Sequence, residues 1–224
     1  MEVAHADMLR CTECKLFIKK ELPSKVELTE TLKDFLLSAC WNKTNRIARM
    51  EDAEWQLENL HNYTKSGKLF DVGAASGFFM AAARDKGWIV EGNDLSNAAI
   101  VWAKENFNLS IHHDFFEDLD LLSNEYDAVV LWNTLEHTHN PAETIRMAKR
   151  ILKPKGLIYI KIPETPTVGT LQRYYEPWHF YEFRMNNVVR FLTTEGFVEK
   201  KINKYWYRDK LSETEYLFGL GEKF

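Results

Sequence analysis

The stretch KLFDVGAASGFFMAAARDKGWIVEGNDLS, Lys68–Ser96, decides the fold class. An apolar run ends at Val72, a loop of small residues follows, and a second apolar run ends at Asp94 after a helix-forming segment. This alternation is typical of parallel strands covered by helices. The loop Gly73–Gly77 leaves bare main chain at the carboxyl end of a strand, where open α/β sheets bind their ligands. A tight strand-to-helix turn, which needs little more than one glycine, is the alternative interpretation.

The spacing within this loop restricts the type of ligand. A dinucleotide fingerprint requires a third glycine where this chain has Phe78, and the Lys-Ser/Thr pair of a phosphate-binding P-loop is missing. We therefore expect a nucleoside whose tail is not a phosphate. Asp94, at the end of the second strand, can accept hydrogen bonds from both ribose hydroxyls. Asp94 could instead cap the helix that begins after Ser96, but the Ser96 side chain is itself a suitable cap.

The same alternation continues along the chain and predicts one α/β domain. Short apolar runs separated by helical patterns predict strands at 69–72, 88–93, 109–113, 126–132 and 156–162, and helices at 77–86, 96–107, 141–152 and 184–195. The last segment, 197–224, predicts an antiparallel hairpin at the edge of the sheet. The predicted fold is a Rossmann-like, seven-stranded, mostly parallel sheet with helices on both faces.

The N-terminal part has a different texture. Residues 1–65 are polar and mostly helix-forming, and ELTETLKDFLLSAC and MEDAEWQLENLHNY each place apolar residues at helical spacing. We expect an N-terminal helical cap over 1–65 and a ligand-binding domain over 66–224. A chain of 224 residues with 45% hydrophobic residues is long enough for one well-buried domain plus such a cap.

Composition disfavours several classes of partner. The net charge of -4 offers no basic field for nucleic acid, and neither a signal-type h-region nor an apolar run of about 20 residues is present. We expect a cytoplasmic protein with no nucleic-acid or membrane partner; the oligomeric state is not predicted.

The cysteines indicate a reducing compartment, and they do not favour zinc. Cys11 and Cys14 have the spacing of half a zinc knuckle, but zinc takes four ligands, and only His5 and Cys40 are near in sequence. An ordinary pair of surface thiols is the favoured alternative, so no metal ligand is predicted.

Five segments, taken in order, resemble class I S-adenosylmethionine (SAM)-dependent methyltransferases. They are FDVGAASGFF, GWIVEGNDLSNAAIVWAKEN, YDAVVLWNTLEHTHNP, AKRILKPKGLIYIKIP and WHFYEFRMNNVVRFLTTEGF, and together they span roughly 68–200. Within that family, the chain is most similar to enzymes that methylate small molecules such as quinone precursors, sugars and natural products. The resemblance implies SAM as cofactor and S-adenosylhomocysteine as product.

The resemblance also implies roles for individual residues. The implied cofactor-binding set is Asp71, Gly73, Ala74, Ala75, Gly77, Asp94, Leu95, Asp114, Phe115 and Asn133. Asp94 would hold the ribose, Asp114 and Phe115 the adenine, and Asn133 the sulfonium side. Acids at a helix start and core aromatics are the alternative interpretation of Asp114, Phe115 and Phe116. Ala75 replaces the family's central glycine, which fits if its φ is negative.

The expected chemistry needs a base to remove a proton from the acceptor, and a histidine suits this role. His179, after the fifth strand, is the preferred base, and His137, after the fourth, is either a base or an orienting residue. Glu136 could orient either histidine. Tyr181 belongs to an expected aromatic wall around the acceptor, which a water-excluding lid would equally explain; the other members are Tyr174, Tyr175 and Trp178. Trp41, Arg46 and Arg49 could close over the methionine carboxylate.

The sequence therefore predicts a SAM-dependent methyltransferase acting on an O, N or C atom of a small-molecule acceptor. A SAM-binding module without turnover, acting as the partner of an active subunit, is the alternative function. A nicotinamide oxidoreductase ranks third because Phe78 argues against it.

Overall fold

A computed structural model describes residues 2–5, 7–35, 43–164, 179–208 and 213–224. The strands are β1 (Glu2–His5), β2 (Met8–Arg10), β3 (Phe17–Lys19), β4 (Lys68–Val72), β5 (Ile89–Asn93), β6 (Tyr126–Trp132), β7 (Leu152–Pro163), β8 (Tyr181–Glu182), β9 (Phe197–Arg208) and β10 (Glu213–Lys223). The helices are α1 (Lys25–Phe35), α2 (Lys43–His61), α3 (Phe78–Asp85), α4 (Asn97–Phe107), α5 (Pro141–Ile151) and α6 (Met185–Thr194).

The main sheet confirms the predicted fold class. Its strand order is β5-β4-β6-β7-β10-β9; the first four strands run parallel, whereas β10 pairs antiparallel with both β7 and β9. The chain passes from β4 to β5 on one side and then to β6 on the other. Such a reversal of strand order opens a crevice at the carboxyl ends of the strands, which is where a ligand is expected.

One predicted strand is much reduced. Residues 109–113 form only an isolated parallel bridge between Asn93 and His112. The His112 N–H donates to Gly92 O at 2.9 Å, and the Asp94 N–H donates to His112 O at 3.0 Å. The main sheet therefore has six full strands and one bridging residue beside β5.

The first twenty residues contain strands that the sequence did not predict. The expected helical cap is preceded by an antiparallel ribbon of β1, β2 and β3, and α1 and α2 follow it. Strand β3 pairs with β8, so that Phe17 faces Glu182 and Ile18 faces Tyr181. These strands have three or four residues each, which is too short to show the alternation by which longer strands are recognised.

Apolar clusters cover both faces of the main sheet. On β4, Phe70 packs on the side of α5 and α6, whereas the adjacent Leu69 packs on the side of α2 and α3. On β6, Val129 and Val130 alternate in the same way. Because both faces are buried, these strands appear in the sequence as continuous apolar runs, and their positions could be predicted.

Candidate functional site

A cavity of about 330 Å³ lies at the carboxyl ends of β4, β5 and β6. Seven residues of the predicted cofactor-binding and catalytic sets line it: Gly73, Ala75, Asp94, Leu95, Phe115, Asn133 and His137. Arg49 from α2, which was predicted to close over the methionine carboxylate, lies in the same wall, and the structure adds Leu28 and Leu32 from α1. The N-terminal helices therefore contribute to this cleft.

The loop after β4 has an unusual backbone. Gly73 and Gly77 have φ values of 72° and 73°, and a Cβ atom on Gly73 would lie 2.7 Å from the Thr134 side chain. Ala75 also has a positive φ, 47°, so the condition under which an alanine fits there without strain is not met. Its N–H donates to Asp94 Oδ2 at 2.8 Å, and this bond holds the left-handed alanine in place.

Asp94 is 9% exposed and links the loop to the next helix. Its Oδ1 accepts the Ser96 N–H at 2.8 Å, and Ser96 Oγ accepts the Ala99 N–H as the N-cap of α4. Burial raises the pKa of Asp94, and the Ser96 and Ala75 N–H groups oppose that rise. A carboxylate offers about four acceptor positions, so Asp94 retains capacity for a ligand hydroxyl.

Four residues of the implied cofactor set do not line the cavity: Asp71, Ala74, Gly77 and Asp114. Asp71 is 2% exposed, and its Oδ1 has no hydrogen-bond partner among the described residues. Burial, and secondarily the Asp94 charge, raises the pKa of Asp71 well above its ordinary value. The exposed Asp114 accepts the Phe115 N–H through Oδ1, which agrees with its alternative interpretation as a local cap.

A second group of side chains, Glu136, His137 and His179, adjoins the cavity. One carboxylate oxygen of Glu136 and one ring nitrogen of each histidine lie within 4.8 Å of one another. The His137 and His179 rings meet edge to face with centroids 4.9 Å apart, and His137 Nε2 lies 3.9 Å from Glu136 Oε1. His137 belongs to the cavity wall, whereas His179, the base preferred from the sequence, does not.

Glu136 is the most perturbed member of this group. It is 2% exposed, and neither carboxylate oxygen has a hydrogen-bond partner in the described part of the chain. Burial raises the pKa of Glu136 to about 7, although the His179 charge acts against that rise. A carboxyl group that titrates near neutrality beside two imidazoles is suited to proton transfer.

Glu182 is a site residue that the sequence analysis missed. Its Oε1 lies 3.1 Å from His179 Nδ1 and orients that ring. The only signal in the sequence is the three-residue spacing, since the position of Glu182 depends on the pairing of β8 with β3. Tyr181 donates its hydroxyl to His139 O at 3.0 Å, and burial raises the pKa of Tyr181.

Several other predicted residues fall at different places. Arg49 lines the cavity, but Arg46 donates to Asn106 and lies over the Trp102 ring at 4.9 Å. Some predicted residues lie outside the described residues, namely Cys40, Trp41, Tyr174, Tyr175 and Trp178.

Carboxylate and imidazole groups such as those of Glu136, His137 and His179 also bind divalent cations. The expectation that the protein has no metal ligands therefore stays a prediction.

A family model described as "Methyltransferase domain" matches residues 45–199, a span that contains the loop Gly73–Gly77, Asp94, His137 and His179. The chain belongs to this methyltransferase domain family.

Several curated proteins similar to this chain are named ubiquinone biosynthesis O-methyltransferase. The protein from Haemophilus ducreyi is 31% identical over 103 residues, which cover 42% of this chain and 44% of the relative. The protein from Saccharophagus degradans is 30% identical over 131 residues, covering 50% and 56%. The chain thus spans about half the length of the curated relatives it matches.

Solved structures share the fold of the methyltransferase domain. A SAM-dependent methyltransferase from Thermotoga maritima has a TM-score of 0.67 at 17% identity, covering 88% of this chain and 100% of the other. One from Mesorhizobium loti has a TM-score of 0.63 at 15% identity, covering 76% and 98%.

Among the described helices, none has both the length and the apolar character needed to cross a membrane.

Proposed function

We propose that the chain is a SAM-dependent methyltransferase that methylates a hydroxyl oxygen of a small molecule. The observation that carries this proposal is that Asp94 and His137 line one cavity, so a nucleoside-binding acid and a candidate base face the same space. The names of the curated relatives support oxygen as the acceptor atom.

The cavity has features that fit SAM. Its volume of about 330 Å³ lies within the usual range of ligand pockets. Asn93 lies in the wall, and its buried Oδ1 has no hydrogen-bond partner among the described side chains and backbone groups. Together with the remaining acceptor capacity of Asp94, this gives the nucleoside hydroxyls two polar contacts. Phe115 would cover the adenine, and Arg49 would bind the methionine carboxylate.

When bound, SAM supplies an electrophilic methyl group on a sulfonium. The protein holds acceptor and methyl group in line, and orientation of this kind contributes on the order of 7–11 kcal/mol. We assign proton removal from the acceptor hydroxyl to His137, because this histidine is in the cavity wall. Glu136 lies beside it and stabilises the positive charge that it acquires, and the Glu182-oriented His179 packs edge to face against the His137 ring.

Cofactor binding is tested by calorimetry with S-adenosylhomocysteine. The unsubstituted protein is expected to bind it, and Asp94→Ala is expected to lose most of the affinity while still unfolding cooperatively in urea. Asp120→Ala removes an exposed acid that lacks a place in the cavity wall, and serves as the matched control. No binding by the unsubstituted protein would contradict the cofactor assignment.

Methyl transfer is tested with methyl-labelled SAM and two sets of acceptors, catechols and monosaccharides. His137→Ala is expected to lower the rate about 10²–10⁴-fold with unchanged S-adenosylhomocysteine affinity, as for removal of a general base. Chelation with EDTA is expected to leave the rate unchanged. If EDTA lowers the rate, a metal ion and not His137 would activate the acceptor hydroxyl. A methyl label found only on nitrogen or carbon atoms of the acceptor would contradict the oxygen assignment.

A further inference from the structure

The N-terminal ribbon carries two cysteines that the proposed function does not use. Cys11 and Cys14 lie in the turn between β2 and β3, closed by a bond from the Cys11 N–H to Leu16 O at 2.8 Å. The Lys15 N–H donates to Cys11 O at 3.1 Å, and Lys15 has a positive φ of 63°. Both cysteines are partly exposed, so a small reagent can reach them.

The turn favours a nucleophilic thiolate at Cys11. The Cys14 N–H and, secondarily, the Glu13 N–H bond to the Cys11 sulfur and lower the pKa of Cys11; the Cys14 thiol also hydrogen-bonds it. A thiol with a lowered pKa in a Cys-x-x-Cys turn is the attacking partner in thiol–disulfide exchange. Cys14, three residues on and already in contact, is placed to resolve the mixed disulfide.

This turn is joined to the segment that carries His179. Strand β3, which leaves the turn, pairs with β8 and places Phe17 opposite Glu182. The Lys19 N–H donates to Phe180 O at 2.8 Å. A second connection runs from Asn187 Nδ2 to Cys14 O at 2.7 Å, and Asn187 Oδ1 accepts the Arg184 N–H at 2.9 Å.

We propose that Cys11 and Cys14 form a thiol–disulfide exchange site whose oxidation state alters the placement of His179 through β3 and β8. The effect on catalysis rests on the proposed function, whereas the thiol chemistry does not. The reacting partner is a low-molecular-weight disulfide. Bond formation between the two sulfurs would move Cys14, whose carbonyl holds Asn187, and would shift the strand that positions Glu182.

The reaction balances in two exchanges. The Cys11 thiolate attacks one sulfur of the small disulfide, forming a mixed disulfide and releasing one small thiolate. The Cys14 thiolate then attacks the Cys11 sulfur, forming the internal disulfide and releasing the second small thiolate. In total, the two cysteines lose two electrons and two protons, and the small disulfide gains them as two thiols.

The chemistry is tested on the full chain carrying Cys40→Ser, so that Cys11 and Cys14 are the only thiols. Incubation with oxidised glutathione is expected to remove both free thiols and to lower the mass by two hydrogen atoms. With Cys14→Ser added, the exchange is expected to stop at one bound glutathione. If the two-thiol chain keeps its thiols, or retains bound glutathione without closing the disulfide, the proposal is overturned.

The coupling to His179 is read without an acceptor, from the ring nitrogen NMR signals of that histidine. These signals are expected to move on oxidation, and the methyl-transfer rate is expected to fall about tenfold, with unchanged affinity for S-adenosylhomocysteine. The chain with both Cys11→Ser and Cys14→Ser is expected to show neither change. A disulfide that forms while the His179 signals stay in place would overturn the coupling, even if no acceptor for methyl transfer were known.

Discussion

Ala75, in the loop Gly73–Gly77 after β4, does not have the negative φ that would let an alanine replace glycine there without strain. A glycine would adopt its φ of 47° without penalty, but an alanine in the left-handed region is disfavoured by roughly 1–2 kcal/mol. The bond from its N–H to Asp94 ties this conformation to the acid that faces the cavity. Within the loop Gly73–Gly77, the backbone strain therefore lies at Ala75, because the two glycines adopt a positive φ without penalty.

Ala75→Gly is expected to raise the free energy of unfolding by about 0.5–1 kcal/mol. The relief of the left-handed alanine exceeds the extra freedom that glycine gives to the unfolded chain. Urea unfolding measures the change. The matched control is Ala74→Gly, at a buried neighbour whose φ is not positive; it is expected to lower the free energy by about 1 kcal/mol. A loss of stability in both variants would contradict the strain at Ala75.

Glu136 makes stability depend on pH. Its folded-state pKa of about 7 lies above the ordinary value of 4.5, so the folded protein binds the proton more tightly than the unfolded chain. Its contribution is then favourable at low pH and is lost as pH rises from about 4.5 to about 7. The total loss is on the order of 3 kcal/mol.

Glu136→Gln keeps the shape of the side chain and removes this titration. We expect the variant and the unsubstituted protein to have similar free energies of unfolding at pH 4.5, and the variant to be the more stable at pH 8. Urea unfolding across this range gives the difference. Parallel pH profiles for the two proteins would show that burial does not perturb Glu136.

At the scale of elements, the predictable parts are those whose patterns are local. The strand predicted at 126–132 matches β6, and the helix predicted at 141–152 matches α5, because the apolar spacing that indicates each element is contained in the segment itself. Strands β1–β3 could not be predicted in this way because they are too short to show an alternation. Glu182, the partner of His179, could not be predicted because its position depends on the pairing of β8 with β3, which are far apart in the sequence.

The placement of Glu182 by β8 gives an element-scale prediction. Glu182→Ala leaves His179 Nδ1 without its acceptor and is expected to lower kcat about tenfold, the size of one hydrogen bond to a charged group. Glu182→Gln, which still offers an oxygen, is expected to recover part of that loss. Affinity for S-adenosylhomocysteine is expected to stay unchanged in both.

The control for these kinetics is Glu199→Ala, which removes an exposed acid from β9. It is expected to leave kcat unchanged. If Glu182→Ala weakened cofactor binding as much as it lowered kcat, Glu182 would act on the cleft as a whole and not on His179.

At the scale of the whole molecule, the cavity proposed to bind the cofactor and the group Glu136, His137 and His179 are adjacent but separable. Asp94 and its loop belong to β4, β5 and the switch in strand order, whereas Glu182 lies in β8 of the small sheet that includes the N-terminal ribbon, and His179 lies just before that strand. His137 is the residue of that group that reaches the cavity. Binding of the cofactor is therefore expected to stabilise the fold even when His137 is removed.

S-adenosylhomocysteine at about 100 times its dissociation constant is expected to raise the free energy of unfolding by about 2.7 kcal/mol. The same rise is expected for His137→Ala, since that substitution leaves the acid and the loop in place. Asp94→Ala is expected to show almost no rise at that concentration. Thermal or urea unfolding with and without the ligand measures all three, and a rise in Asp94→Ala equal to that of the unsubstituted protein would contradict the role of Asp94.

The pairing of β3 with β8 has a consequence for how the polypeptide assembles. Residues 17–18 pair with residues 181–182, so this strand pairing is completed only after the whole segment between them has been synthesised. Contacts between such distant parts form slowly because a large loop has to close first. Until then Phe17, which is 0% exposed in the finished protein, remains in water. The nascent ribbon therefore exposes an apolar ring, the kind of surface that chaperones protect.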